Sequence, residues 1–487
     1  MNNMKGGKRY SMRNKYRYIC YGIIIALFCL SNNISYAHEG TEKQYIVEFV
    51  NDITLYDVRQ NSTTINVLSE SELQECLDAG IVDWYEEDYE VELLDIEFVE
   101  TEQIQDESQS ENVKWDLEMI NANSAKEFLL EGQGINVGII DSGIMNHPDL
   151  CNNIKPGYNY LASTTDVSDN IGHGTFVAGL IAANDNEQGI VGIANETNLI
   201  PLKCFDSGKT TTVSIICSAI KDAVDNYDCD IINMSFGLVN YSTKLEEYIK
   251  YATDAGVIVV AAVGNKGTNV LYYPAAYEKV IGVGSINVNY DKSNFSQYNS
   301  SVDFLAPGEE VWSTSKDGTY MQKSGTSFST PLVSGLIATM MNVDSELSHD
   351  EIVSHIADTA IICDNWLNEN EVFIRNDSYG YGLINVSACL SKMLMEHMYF
   401  ISPIDFEDTE SQVAIINNSG SDFVGYCMWG EYTVRGMINM DWEYVSIPSG
   451  SYVIADTNIT NNKIKCFLWK SINDISVLTD FREREAN

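Results

Sequence analysis

Three short segments of the chain each join a residue capable of acid, base or nucleophilic chemistry to glycine. They are Asp141-Ser142-Gly143, His173-Gly174-Thr175 and Gly325-Thr326-Ser327. A serine hydroxyl is a weak nucleophile at its ordinary pKa, so it needs an adjacent base, and that base needs an acid to orient it. Glycine lets backbone and substrate approach closely. The segments therefore predict acyl transfer, with Asp141 orienting, His173 as general base and then acid, and Ser327 attacking.

The surrounding sequence predicts the elements that position these side chains. Ser327 precedes a helical apolar stripe, so it lies at a helix N-terminus, where free N–H groups and the helix dipole favour negative charge. His173 also opens a helix, and Asp141 follows an apolar strand, at the edge where open α/β sheets build their sites. Asn265 follows another such strand and could donate to an oxyanion together with the Ser327 N–H. Among six histidines only His147 competes as the base, and its place in His147-Pro148-Asp149-Leu150 favours a structural role.

From about residue 111 to 398, apolar runs alternate with segments of helical periodicity. The runs at 135–140, 230–234 and 257–263 are typical of parallel strands covered on both faces. We therefore predict an α/β domain of three layers with a central parallel sheet for residues 111–398. Short β-type runs separated by Asn, Gly, Ser and Asp predict a small β-rich domain, of unknown role, at residues 399–487.

The N-terminal residues have the pattern of an export signal. A basic stretch precedes an apolar run from Ile19 to Leu30, and Ser35-Tyr36-Ala37 offers a small-x-small cleavage site. We expect residues 1–37 to be a secretory signal peptide cleaved after Ala37, which makes the mature protein extracellular and free of the membrane. The alternative is an uncleaved anchor, but these 12 residues are short against the roughly 20 that span a bilayer.

Residues 38–110 are strongly acidic, with 21 acidic and two basic side chains. Strand-like runs at 45–49, 81–85 and 89–93 and a serine-capped helical stretch at 69–79 predict a small α+β domain. The polar stretch 101–110 is typical of an exposed linker. The whole chain has a formal net charge of −41, which favours solubility and excludes nucleic acid as a partner because phosphate would be repelled.

The sequence does not decide whether the cysteines are free thiols or form disulfide bridges. Of 11 cysteines, eight lie beyond residue 110, and their spacings match neither a disulfide framework nor a zinc motif. Buried free thiols and disulfide bridges are equally compatible with this pattern.

Over about residues 110–390 the chain resembles the subtilisin family (subtilases) of serine peptidases. The order Asp, His, Ser is that of the subtilisin triad. The motifs that carry the resemblance are Asp141-Ser142-Gly143-Ile144, Gly172-His173-Gly174-Thr175, Ser235-Phe236-Gly237, the strand into Asn265, Gly325-Thr326-Ser327 and Gly380-Tyr381-Gly382-Leu383-Ile384-Asn385. The resemblance implies a serine endopeptidase acting on peptides or proteins through an acyl-enzyme intermediate, and we expect it to be a monomer.

The resemblance also implies how substrate and inhibitor bind. Ser235, Phe236 and Gly237 would pair with the substrate main chain as an added strand, and Ala262, Val263 and Gly264 would line the primary pocket. Residues 38–110 would form an inhibitory propeptide, removed by the enzyme itself near Ser110.

Calcium is a further implication of the resemblance. The loop at 184–190 matches positions of the family's calcium site, together with Asp149 and Glu111. The ligands would be the carboxylates of Asp149 and Glu111, the Asn186 amide, and the carbonyls of Asn184, Gln188 and Ile190, an oxygen set that suits this ion. A polar surface loop without metal is the alternative.

Departures from the family pattern bear on specificity. Phe328 and Ser329 follow the nucleophile where Met and Ala are usual, without touching the chemistry. Val263 and Tyr272 are larger than the usual pocket residues, so we expect a narrowed pocket that disfavours large aromatic side chains. A dedicated processing peptidase with one narrow substrate is a second hypothesis, and a catalytically silent binding protein on the same fold is a third.

Overall fold

The computed structural model describes residues 43–49, 65–94, 115–122, 130–186, 189–368 and 372–397, together with the backbone of strands between 399 and 484. The signal segment 1–37, Ser110, Glu111 and Gln188 lie outside the described residues. Within the described part, no helix is long and apolar enough to cross a membrane. Among the described cysteines, Cys204, Cys217 and Cys229 are buried free thiols, Cys151 is an exposed one and Cys363 a half-buried one.

The N-terminal unit is the small α+β structure that the sequence predicts. It contains β1 (Gln44–Phe49), β2 (Asn66–Ser69), α1 (Glu70–Ala79), β3 (Val82–Glu87) and β4 (Glu90–Leu93). Strands β2, β1 and β3 form an antiparallel sheet in that order. Ser69 and Glu72 close a capping box at the start of α1, and Gly80 ends the helix in the left-handed conformation at φ 65°. Strand β4 is not part of this sheet, although the sequence placed it in the same small domain.

A sheet of seven parallel strands forms the centre of the main domain. Its members are β5 (Asn136–Asp141), β6 (Tyr158–Asn159), β7 (Asn198–Lys203), β9 (Ile231–Met234), β11 (Ile258–Ala262), β12 (Val280–Ile286) and β13 (Phe304–Pro307). The strand order is β13-β12-β11-β9-β5-β7-β6. Strands β9, β11 and β12 are buried at every position, as predicted for strands covered on both faces.

Helices cover this sheet and complete the three-layer α/β architecture that the sequence predicts. They are α2 (Trp115–Met119), α3 (His173–Ala182), α4 (Val213–Asp225), α5 (Thr243–Asp254), α6 (Thr326–Val343), α7 (His349–Thr359) and α8 (Val386–His397), with a 3₁₀ turn at Asp364–Trp366. Helices α3 and α6 pack on each other, and α4 and α5 form a second pair. Helix α6 is buried along its first 16 residues, because it contacts both α3 and the strands of the sheet.

Two smaller sheets flank the central one. Strands β8 (Thr210–Thr212) and β10 (Phe236–Gly237) lie on either side of β4, antiparallel to it. Strands β14 (Val311–Thr314) and β15 (Tyr320–Lys323) form a hairpin.

The C-terminal part is β-rich, as the sequence predicts. The strands are β16 (Tyr399–Pro403), β17 (Ser411–Asn417), β18 (Phe423–Thr433), β19 (Gly436–Ile447), β20 (Tyr452–Thr457), β21 (Lys463–Ser471), β22 (Asp474–Val477) and β23 (Glu483–Arg484). They form one sheet of order β16-β17-β20 and another of order β19-β18-β21-β22, with β23 also on β21.

Candidate active site

Asp141 and His173 meet at the carboxyl edge of the central sheet. Asp141 ends β5 and His173 begins α3, and Nδ1 of the imidazole lies 2.9 Å from both carboxylate oxygens. Both side chains are fully buried. Nε2 of His173 has no hydrogen-bond partner among the described residues. This nitrogen is therefore available to accept a proton, while the carboxylate determines the tautomer of the ring.

A second buried carboxylate, Asp169, joins the Asp141 loop to the start of α3. It accepts five hydrogen bonds, from the Ser142 hydroxyl, the backbone N–H groups of Ile171, Gly172 and Thr175, and the Thr175 hydroxyl. The N–H groups at a helix start lack partners within the helix, so an acid at this position satisfies them. Sequence reasoning missed Asp169, because it lies three residues before the N-cap Gly172, outside the position at which capping acids are recognised.

Ser327 is the second residue of α6. Its hydroxyl donates to the backbone carbonyl of Ser235 at 2.9 Å and to the backbone carbonyl of Leu94, rather than to His173. The residue after it, Phe328, lies between His173 and Phe176, with ring centroids 5.4 and 4.5 Å away. This aromatic contact supports the face of the imidazole.

Asn265 lies beside Ser327 and is oriented by Thr326. Its Oδ1 accepts from the N–H and the hydroxyl of Thr326, each at 2.9 Å, and its Nδ2 donates to the carbonyl of Leu94 at 2.6 Å. Gly325 has φ 154°, and a Cβ there would lie 3.1 Å from the Leu94 carbonyl oxygen. The missing side chain therefore leaves room for a peptide carbonyl at this point.

The strand that fills the cleft comes from the N-terminal unit. Leu93 pairs with Phe236 and Glu92 with Gly237, while the other edge of β4 pairs with β8. Ser235 also takes part, because its carbonyl accepts from Leu94 N–H at 3.4 Å. The sequence identified β4 as a strand, but nothing in its composition marked Leu94 as the residue at the nucleophile.

The Leu94 side chain lies among residues that the sequence predicts to line the primary pocket. It is 3% exposed and clusters with Ala262 and Tyr272. Gly264 forms part of the same wall, since a Cβ there would lie 3.1 Å from the Tyr272 ring. Burial raises the pKa of the Tyr272 phenol. Val263 is not brought to this pocket, because its side chain belongs to the main core, where Cγ1 approaches Gly282.

The described residues of the expected calcium loop lie together around Asp149. The carboxylate of Asp149 is buried and accepts from Asn186 Nδ2 at 2.7 Å and from the Tyr320 hydroxyl at 2.6 Å, and its backbone carbonyl accepts from Asn184 N–H. The Asn184 side-chain Nδ2 is buried without a partner among the described residues, and Ile190 is buried. One carboxylate and an adjacent amide fit part of an oxygen-ligand set. The described residues contain no group of three or more acidic, His or Cys side chains that could hold a metal ion.

His147, the other candidate for the catalytic base, makes its hydrogen bonds beside this loop. Its Nδ1 accepts from Asp149 N–H at 3.1 Å, and its Nε2 lies 3.0 Å from the Thr319 carbonyl. Both ring nitrogens are occupied by backbone groups, which agrees with the structural role expected from the sequence.

The carboxyl edge of the parallel sheet holds an acid, an imidazole, a serine at a helix start and an amide. This arrangement is that of a serine hydrolase of α/β architecture.

The model of the subtilase family matches residues 132–382. The chain is 32% identical over 374 residues to M-protease of Shouchella clausii (strain KSM-K16), covering 74% of this chain and 94% of that protein. It is 34% identical over 279 residues to Subtilisin Savinase of Lederbergia lenta, covering 57% and 99%. It is 35% identical over 284 residues to Subtilisin DY of Bacillus licheniformis, covering 57% and 99%. The chain belongs to the subtilase family of serine proteases.

Proposed function

We propose that this chain is a secreted serine endopeptidase, made as a self-processed zymogen, that uses Asp141, His173 and Ser327 as its catalytic residues. The observation that carries the proposal is the Leu94 carbonyl, which lies against Ser327 Oγ and within 2.6 Å of Asn265 Nδ2. A peptide carbonyl held between a hydroxyl nucleophile and an amide donor occupies the position of a substrate carbonyl.

The mechanism follows from the chemistry of these four residues. His173 takes the Ser327 proton as Oγ attacks the carbonyl carbon, and Asp141 stabilises the imidazolium that forms. The developing oxyanion receives hydrogen bonds from Asn265 Nδ2 and the Ser327 N–H. His173 then protonates the leaving amine, which leaves an acyl-enzyme on Ser327. Water, deprotonated by His173, hydrolyses this ester and regenerates the serine.

The acidic N-terminal segment, assigned above to 38–110, acts as the inhibitory propeptide in this proposal. Strand β4 fills the cleft between β8 and β10, which supports an intramolecular inhibitor. Two carboxylates of this segment bind the N-terminal ends of helices α4 and α5 and so strengthen its attachment to the main domain. Glu86 accepts from the N–H groups of Thr243 and Lys244 at the start of α5, and Asp88 accepts from the N–H and hydroxyl of Ser214 at the start of α4.

Calcium is proposed as a structural ion of the 184–190 loop. Asp149 and Asn186 would supply side-chain oxygens from the described residues, and Glu111 and Gln188 would complete the set with the Asn184 and Ile190 carbonyls. A bound cation would neutralise the buried Asp149 carboxylate and hold the loop against Tyr320. Its contribution is to stability, and no catalytic step depends on it.

A fluorophosphonate probe tests the enzyme proposal directly. The processed wild-type protein should give one adduct, located at Ser327 by peptide mass, and should hydrolyse casein. Ser327→Ala should give neither. Ser329→Ala is the matched control and should leave labelling intact, because among the described residues the Ser329 hydroxyl donates to the Ala306 carbonyl and not to the active-site groups. A processed protein that takes no label would instead support the silent binding protein.

A further inference from the structure

We propose that the bond which the enzyme cuts in its own chain is Leu94–Asp95, upstream of Ser110, and that the primary pocket is built for leucine. This inference rests on the proposed endopeptidase function and specifies the bond and side chain on which that function acts.

The position of the Leu94 carbonyl is the first argument. Both its neighbours, Ser327 Oγ and Asn265 Nδ2, are groups that react with or stabilise a scissile carbonyl. One active site holds one carbonyl at a time. While Leu94 occupies it, the Ser110 carbonyl of the same molecule is excluded, so the first intramolecular cut falls after Leu94.

The register of β4 is the second argument. Backbone pairing places Leu93 opposite Phe236 and Glu92 opposite Gly237, and Leu93 N–H donates to the Lys209 carbonyl at 3.0 Å. Side chains alternate along a strand, so a slip of one residue would bring Leu93 to the nucleophile and turn Glu90 and Glu92 inward in place of the buried Val91 and Leu93. The burial pattern therefore opposes a shift of the cut to a neighbouring bond.

The anchoring of the segment before β4 is the third argument. Glu86 accepts from the Ser242 hydroxyl at 2.5 Å, and Asp88 from the Ser214 hydroxyl at 2.6 Å, at the starts of two different helices. Five residues separate Asp88 from Leu94, and both ends of this short span are held. The distance available along an extended chain thus limits which carbonyl reaches Ser327.

The pocket favours an apolar side chain of about the size of leucine. Leu94 is enclosed by Ala262 and Tyr272, and the Tyr272 ring lies across the space that Gly264 and Gly237 leave open. A phenol ring at this position shortens the pocket, which suits leucine and excludes an indole or a second large ring.

The step balances without any co-reactant other than water. Ser327 Oγ bonds to the Leu94 carbonyl carbon, and the Leu94–Asp95 C–N bond breaks. The serine proton passes through His173 to the Asp95 nitrogen, which becomes the new α-amino group. Water then releases the propeptide with Leu94 as its C-terminal carboxylate.

The test is to express the full chain and determine both new ends by mass spectrometry. The expected products are a propeptide ending at Leu94 and an enzyme beginning at Asp95 before any later trimming. Leu94→Asp should slow the appearance of these ends by about 100-fold, because it places a charge in an apolar pocket, whereas Leu94→Met should process nearly as fast. A first cut after Ser110, or equal rates for the two variants, would overturn the inference.

A peptide substrate keeps the test valid if a Leu94 variant fails to fold. The peptide Glu-Val-Glu-Leu-Leu-Asp-Ile-Glu, with the sequence of residues 90–97, should be cut by processed wild-type enzyme between its second leucine and aspartate. Cleavage elsewhere, or none while casein is hydrolysed, contradicts the inference and leaves the enzyme proposal standing. Absence of both hydrolysis and fluorophosphonate labelling contradicts the proposed function instead.

Discussion

Thr326 donates its backbone N–H and its hydroxyl to Oδ1 of Asn265, each at 2.9 Å. With Oδ1 occupied, Nδ2 of the same amide faces the Leu94 carbonyl at 2.6 Å. The donor is therefore oriented by the protein itself, and preorganised donors are the ones that stabilise a developing oxyanion most effectively.

This relationship predicts graded losses of kcat. Asn265→Ala should lower kcat by about 100- to 1000-fold, because the donor is removed. Thr326→Val should lower kcat by about 10-fold with little change in KM, since one of two orienting bonds is lost. Thr326→Ser retains the hydroxyl and serves as the control. Steady-state kinetics on one peptide substrate measure all three, and an equal loss in Thr326→Ser would contradict the orienting role.

Asp169 should affect both stability and turnover. Asp169→Ala leaves five donors without their acceptor, so we expect a loss of about 2 to 4 kcal/mol in the free energy of unfolding. We also expect kcat/KM to fall by about 10- to 100-fold well below the melting temperature, because His173 and the Asp141 loop lose their common anchor.

The neighbouring Asp166 offers the matched control for Asp169. It is exposed and bonds mainly to Ser168, whose hydroxyl and N–H hold the pKa of Asp166 below its ordinary value. Asp166→Asn should change neither the melting temperature nor kcat/KM appreciably. A similar kinetic loss in both variants would show that Asp169 has no particular positioning role.

Asp116 should make stability depend on pH. Burial raises the pKa of this carboxyl from 3.8 to about 7 in the folded protein. Folding therefore favours the protonated acid, so its contribution is complete below pH 3.8 and is lost as the pH rises through about 7. In the uncleaved Ser327→Ala chain, Asp116→Asn should raise the melting temperature more at pH 8 than at pH 5. The exposed neighbour Glu118→Gln should show no such difference, and a pH-independent effect of Asp116→Asn would contradict this assignment.

Calcium removal should destabilise the chain through Asp149. Chelation should lower the melting temperature of the Ser327→Ala protein by roughly 5 to 10 °C, the shift expected when a ligand of the folded state is withdrawn. Asp149→Asn should melt at a lower temperature that chelation no longer changes. The exposed Asp185→Asn removes the same charge from the same loop and should retain the response. An unchanged melting temperature of the Ser327→Ala protein on chelation would exclude a stabilising calcium ion.

The side chain of Tyr272, and not that of Val263, should determine the size of the primary pocket. Tyr272→Ala should raise kcat/KM for peptides with Phe before the cut, relative to Leu, by about 10-fold or more, because the ring no longer closes the pocket. Val263→Ala should leave this ratio unchanged, since its side chain lies in the core. Competing Phe and Leu peptides in one reaction give the ratio directly, and a shift caused by Val263→Ala would contradict the placement of the two residues.

The sequence predicted the fold class well because the signals were local. Apolar runs at 135–140, 230–234 and 257–263 became β5, β9 and β11, and the C-terminal β-type runs became strands. It also led to the Asp141, His173, Ser327 and Asn265 cluster, since each residue follows a strand or opens a helix, and these termini meet at one edge of a parallel sheet.

The sequence could not predict the contacts between segments that are distant along the chain. Strand β4 has the alternation of any edge strand, so its pairing with β8 and β10 instead of β1 could not be deduced. The sequence assigned both Val263 and Tyr272 to the pocket, but in the structure the Val263 side chain lies in the main core and the Tyr272 side chain lies beside Leu94.

The sequence by itself predicted the chemistry of the segments around Asp141, His173 and Ser327. It also predicted the layered fold that positions them, because residue type and periodicity are local properties. Only the tertiary structure decided that Leu94 lies at Ser327, that Asp169 joins the acid loop to the base helix, and that Tyr272 closes the pocket. Each of these depends on long-range packing, where the choice among many possible partners is made by burial and hydrogen-bond satisfaction over the whole molecule.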